Sequence, residues 1–157
     1  ALTPVMANGL GSAEETRNVS IKISGCFNSC AQHHIADIGF YGSSRSVNGH
    51  EVPHYAMLLG GGTSLDGGAV FGKVTAQIPA KRVPEAVKGF LEFYKAERQG
   101  QETVRQFIDR IGLPRVKAFL EPYQTVPSFE QDPKAYEDLG AEGTLFKMEM
   151  GKGECAA

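Results

Sequence analysis

The spacing of apolar residues changes period at Pro79, and this limits the fold more than any other feature of the chain. Before it, apolar side chains alternate with others: Val19, Ile21 and Ile23, then Tyr55, Met57 and Leu59, then Val74, Ala76 and Ile78. A period of two puts such residues on one face of a strand. After it, Val83, Ala86, Val87, Phe90, Leu91 and Tyr94 follow the i, i+3, i+4, i+7 rule of an amphipathic helix, and Pro84 suits a first helical turn. Val104, Phe107, Ile108 and Ile111 form a second stripe closed by Gly112, and Pro114 opens a third with Val116, Phe119 and Leu120. Strands are predicted over 19–24, 35–41, 53–59 and 73–78, with a short helical turn over 29–34. Arg45 to Glu51 reads as a polar loop turning at Asn48-Gly49. Strands followed by helices, not alternating with them, predict an α+β fold: a mixed or antiparallel sheet with helices packed on it.

Composition narrows the function classes. The 157 residues make one domain at roughly 100–200 residues each. Sixteen Lys+Arg against 18 Asp+Glu is not the strongly basic profile of a nucleic-acid module. Three cysteines, an odd number, exclude a disulfide scaffold. No apolar run approaches the roughly 20 residues a bilayer needs, and Ala1 to Leu10 lacks the basic start of a signal peptide. No membrane partner and a cytoplasmic location are therefore expected. Nineteen glycines exceed the average of about 7%; such a chain makes turns and close backbone approaches, including approaches to a flat ligand.

The segment richest in chemistry is Gly25-Cys26-Phe27-Asn28-Ser29-Cys30. Cys26 and Cys30 follow a strand at an expected helix start, where a thiolate is favoured and can serve as a soft metal ligand. The plain alternative is two small buried residues. Cys26, Cys30 and either His33 or His34 could also gather a zinc ion in a stand-alone metal-binding or electron-carrier module. Against this, two successive histidines on a regular helix cannot face one ion, and a polar cap explains them as well. Gly67 to Lys73 spells most of a phosphate loop, but Val74 stands where Ser or Thr is needed and the run leads into a strand, so a nucleotide site is rejected. Lys73, Lys81, Arg82 and Lys88 form a basic stretch that reads as a solvated face or as a contact for an acidic cofactor or protein.

Val19 to Phe40, with its strand, Gly25-Cys26-Phe27-Asn28-Ser29-Cys30 and following Ala36-Asp37-Ile38-Gly39, resembles the second cysteine motif of the nitrite/sulfite reductase hemoproteins. Leu59 to Gly62, Gly68 to Lys73 and Phe107 to Leu120 are similar to that family's downstream glycine-rich and helical regions. The resemblance implies one [4Fe–4S] cluster coupled to siroheme, and reduction of sulfite to sulfide or of nitrite to ammonia. It implies that Cys26 and Cys30 are two of the cluster ligands, that Cys30 also bridges to the siroheme iron, and that Asn28 orders the loop. The family's earlier C-x5-C pair has no counterpart here; only Cys155 remains. The chain is therefore expected to be the C-terminal part of a reductase, inactive by itself. Its partners would be the remainder of that reductase and an electron donor such as a ferredoxin or flavoprotein. The expected organisation is a lead-in over 1–18, the siroheme and iron–sulfur portion over 19–121, and an extended tail over 122–157 with one strand near 144–150.

Overall fold

The computed structural model describes residues 16–64 and 67–148. Its main sheet holds β1 (Ile21–Ser24), β2 (Ile38–Val47), β3 (His50–Leu59) and β6 (Lys73–Pro79) in the order β1-β2-β3-β6. β1 runs parallel to β2, while β2–β3 and β3–β6 are antiparallel. Two short strands, β4 (Gly62–Thr63) and β5 (Ala69–Val70), pair with each other. Among the described residues three helices follow: α1 (Val83–Glu97), α2 (Val104–Ile111) and α3 (Leu113–Leu120). The fold is α+β with a mixed sheet, as the change of period predicts.

The helices bury their stripes on one face of this sheet. Ile38, Phe40, Met57, Leu59, Ala76 and Ile78 meet Val87, Phe90, Leu91, Phe107, Val116 and Leu120 in a single core. Every stripe residue read on α1 is buried. Val74 departs from the expectation and is 46% exposed. The β3–β6 register shifts there: Met57 pairs with Ala76 but Leu58 pairs with Val74, which leaves Thr75 as the extra residue. A bulge reverses the alternation beyond it, so Val74 leaves the core face, and the buried Thr75 hydroxyl donates to the Met57 carbonyl at 3.0 Å.

The expected loop over 45–51 is instead the end of a long hairpin. β2 and β3 stay paired out to Val47 and His50, with only Asn48 and Gly49 between them. Both turn residues have positive φ (51° and 83°), as the tightest hairpin turn requires. The polar strand ends are held by ladder hydrogen bonds, which no apolar pattern announces.

The stretch expected as an extended tail packs back on the sheet through residue 148. Four-residue turns at Glu121–Gln124 and Pro133–Tyr136 shape its path. Tyr136 is fully buried and donates to the Pro127 carbonyl at 2.9 Å. The Phe129 ring stacks on His50 at 4.2 Å. Two residues of the basic stretch serve this docking. Lys81 donates to the Lys134 carbonyl and pairs with Glu137 at 3.5 Å, and Arg82 donates to the Pro122 carbonyl at 2.6 Å. Of the strand expected over 144–150, the described part makes one bridge, Leu145 with Glu137; positions 149 and 150 lie outside the described residues, as do Cys155 and most of the lead-in. Among the described residues no helix is long and apolar enough to cross a membrane.

Candidate functional site

The cysteine segment is the connection between two parallel strands. Such a crossover usually runs through a helix, but here Gly25 to Asp37 supplies only a three-residue turn, His33–Ile35. The short helical turn expected over 29–34 is confined to His33–Ile35 and begins after both cysteines, so no helix N-terminus faces the thiols.

Glycines let this segment lie directly on the sheet. A Cβ on Gly39 would stand 2.0 Å from the His33 carbonyl oxygen, and one on Gly42 would stand 2.2 Å from that of Gly25. A Cβ on Gly61 would meet the His34 and Ala36 carbonyls at 2.5 Å. The close approaches foreshadowed by the glycine count are therefore made, at these three positions, to the cysteine segment's own backbone. Polar bonds complete the seat. The Gly72 N–H donates to the His34 carbonyl at 2.7 Å, and the Gly60 N–H donates to that of Asp37 at 3.0 Å. The Asp37 carboxylate accepts from the Ser20 N–H at 2.9 Å and the Ser20 hydroxyl at 2.7 Å. Lys22 donates to the Gln32 side-chain oxygen at 3.0 Å.

On this seat both cysteines are free thiols, Cys26 half-buried and Cys30 exposed. The reading of two small buried residues does not hold for Cys30. Asn28 between them is exposed. Phe27 is 71% exposed, and Phe71, whose ring lies 5.2 Å from that of His34, is 64% exposed. The two histidines lie apart from any metal set. His33 Nδ1 is 2.8 Å from the Ser24 hydroxyl, and His34 Nδ1 is 2.9 Å from the Ser29 hydroxyl. Among the described residues no three His, Cys, Asp or Glu side chains are grouped so as to hold a metal ion. The phosphate-loop mimic leads from β5 into β6, with no helix after Lys73.

A cavity of about 530 Å³ opens elsewhere, between the start of β1 and the α1–α2 connection. Asp37, Tyr94, Arg98 and Glu102 are among its walls, and neither cysteine borders it. The Tyr94 hydroxyl donates to the Glu102 carbonyl. The Arg110 guanidinium, bonded to the Glu102 carboxylate at 2.6 and 2.8 Å, holds that carboxyl down to about 2.

The sequence pattern does not mark Ser24 and Ser29 as members of the site, and it offers the histidines a metal, capping or strand-entry role. No local pattern announces them, because backbone angles set the bend that brings them to the histidines. Ser29 and Gln32 are non-glycine residues with positive φ (60° and 57°), and a chain that bends this way needs side-chain hydrogen bonds to hold it.

A pair of free thiols thus sits on a strained, glycine-seated crossover between two parallel strands of an α+β fold. The chain belongs to the nitrite and sulphite reductase 4Fe–4S domain family, whose model matches residues 11–127. It is 30% identical over 112 residues to the assimilatory ferredoxin-dependent nitrite reductase of Haloferax mediterranei, a match covering 71% of this chain and 19% of that protein. The ferredoxin sulfite reductase of Synechococcus elongatus is 28% identical over 104 residues, 66% of this chain and 15% of that protein. The solved NirA protein of Mycobacterium tuberculosis superposes with a TM-score of 0.61 at 25% identity, over 72% of this chain and 21% of that one. The chain thus spans about a fifth or less of the curated relatives it matches.

Proposed function

We propose that this chain is the part of a nitrite or sulfite reductase that supplies two thiolates, Cys26 and Cys30, to a [4Fe–4S] cluster coupled to siroheme. In this reading Cys30 would be the thiolate that couples the cluster to the siroheme, and Asn28 would order the loop between the ligands. When bound, the coupled centre passes electrons to the substrate, taking sulfite to sulfide or nitrite to ammonia. The observation that carries the reading is the pair of free thiols on the Gly25–Asp37 seat, inside the stretch that matches the 4Fe–4S family.

The donor set fits half of the group. Thiolates are the ligands that iron–sulfur clusters take, and a cubane takes about four. The sequence holds three cysteines in all, so at least one thiolate comes from another segment of the reductase. The chain alone is accordingly inactive and holds neither group stoichiometrically. Exposed Phe27 and Phe71 beside the loop support a surface on which that remainder seats, because large apolar side chains in water mark contact sites. The names of the Haloferax and Synechococcus relatives support a ferredoxin as donor, with a flavoprotein as the other class. The reductase works in the cytoplasm, where thiols stay reduced.

The test is iron content. In the assembled reductase, Cys26→Ser and Cys30→Ser each lose cluster iron and reduction of both nitrite and sulfite. Full iron and undiminished turnover in either variant would overturn the assignment. The 157-residue chain, reconstituted without oxygen with iron and sulfide, should hold well under four irons.

A further inference from the structure

We propose that His33 and His34 are positioning residues for Cys30, each holding the backbone on one side of it through a serine hydroxyl. This rests on the reading of Cys30 as a cluster ligand. Ser29 precedes Cys30 and Ala31 follows it. The Ala31 N–H donates to the Ser24 hydroxyl at 3.3 Å, and that hydroxyl lies 2.8 Å from His33 Nδ1. On the other side the Ser29 hydroxyl lies 2.9 Å from His34 Nδ1. The two imidazoles stack at 4.2 Å with an interplanar angle of 29°, so the two holds brace each other.

The hydrogen bonds around Ser24 favour one tautomer of His33. The Ser24 oxygen already accepts the Ala31 N–H, so its own proton needs an acceptor. His33 Nδ1 is the acceptor within reach, which puts the ring proton on Nε2. Among the described residues, His33 Nε2 is the buried side-chain polar atom left without a partner. The opposite tautomer would leave two groups unmatched, the Ser24 O–H and the bare Nε2, and is disfavoured for that reason. Burial first, and the adjacent His34 imidazole second, disfavour a charged His33.

The arrangement answers a need of the loop. Ser29 and Gln32 both take left-handed backbone, which is costly for side chains with a Cβ. The Gln32 N–H closes that bend on the Ser29 carbonyl at 2.7 Å. A sulfur that must meet a cluster and a second iron tolerates displacements of only about 0.5 Å. Two serine–histidine pairs flanking Cys30 supply that rigidity before any metal arrives.

The experiment uses the 157-residue chain without iron, so it is independent of the ligand assignment. Nitrogen-15 NMR of the imidazoles should show His33 protonated at Nε2 and bare at Nδ1. Amide exchange at Ala31 should quicken about 2- to 10-fold in Ser24→Ala and in His33→Phe. His33→Asn, whose side-chain oxygen replaces Nδ1, should restore slow exchange. His34→Phe should quicken exchange at Gln32. A His33 proton on Nδ1, or unchanged Ala31 exchange in both Ser24→Ala and His33→Phe, overturns the proposal. The tautomer is read on the unaltered chain, so a variant that fails to fold leaves that test standing. If Cys30→Ser kept its iron while these results held, the ligand reading would fall and the clamp would remain.

Discussion

Gly39 has no room for a methyl group. Its Cβ would stand 2.0 Å from the His33 carbonyl oxygen, which belongs to backbone and cannot swing aside. Gly39→Ala should cost about 1–3 kcal/mol or more in urea unfolding, as overpacking does. Gly62→Ala, whose Cβ meets nothing within 4 Å among the described residues, should be near neutral. Equal midpoints for the two variants would contradict the seat described above. His33 and His54 give a pH dependence. Burial holds both below the ordinary 6.5. The unfolded chain therefore takes up protons near 6.5 that the folded chain refuses, so stability is full above 6.5 and falls as pH drops below it. Urea midpoints that did not decline from pH 7.5 to pH 5.5 would rule this out. Glu102 acts in a lower window. Its carboxyl sits at about 2 against an ordinary 4.5, so its contribution is present above 4.5 and lost as pH falls toward 2.

At the scale of elements, α2 is only eight residues long and leans on its cap. The Thr103 hydroxyl accepts the Gln106 N–H at 3.2 Å, and the Gln106 side chain accepts the Thr103 N–H at 2.9 Å. Thr103→Ala should lower stability by about 1 kcal/mol, read as a lower melting temperature. The helices were legible in sequence because each buries one stripe, and a stripe is a local pattern. The hairpin was half legible. Asn48-Gly49 announces its turn, but polar Arg45 and Ser46 hide the strand they belong to, since ladder bonds are made by backbone regardless of side chain. Val74 misleads for a related reason, since its face depends on the bulge at Thr75.

At the scale of the whole molecule, the segment after Glu121 closes the fold. Tyr136→Ala should cost roughly 3 kcal/mol or more and speed proteolysis between 122 and 148. Cleavage as slow as in the unaltered chain would show that the ring does not anchor this segment. The sequence by itself determined the fold class and the α1 stripe, because both rest on local periodicity. It also determined the family, because Gly25 to Cys30 and the flanking strands are contiguous. Only the tertiary structure decided that Gly39, Gly42 and Gly61 seat the cysteine segment and that the histidines meet serines. It alone showed Lys81 and Arg82 stapling residues 122–137. Each of these joins groups far apart in the chain or turned by a single φ angle, and no local pattern records such contacts.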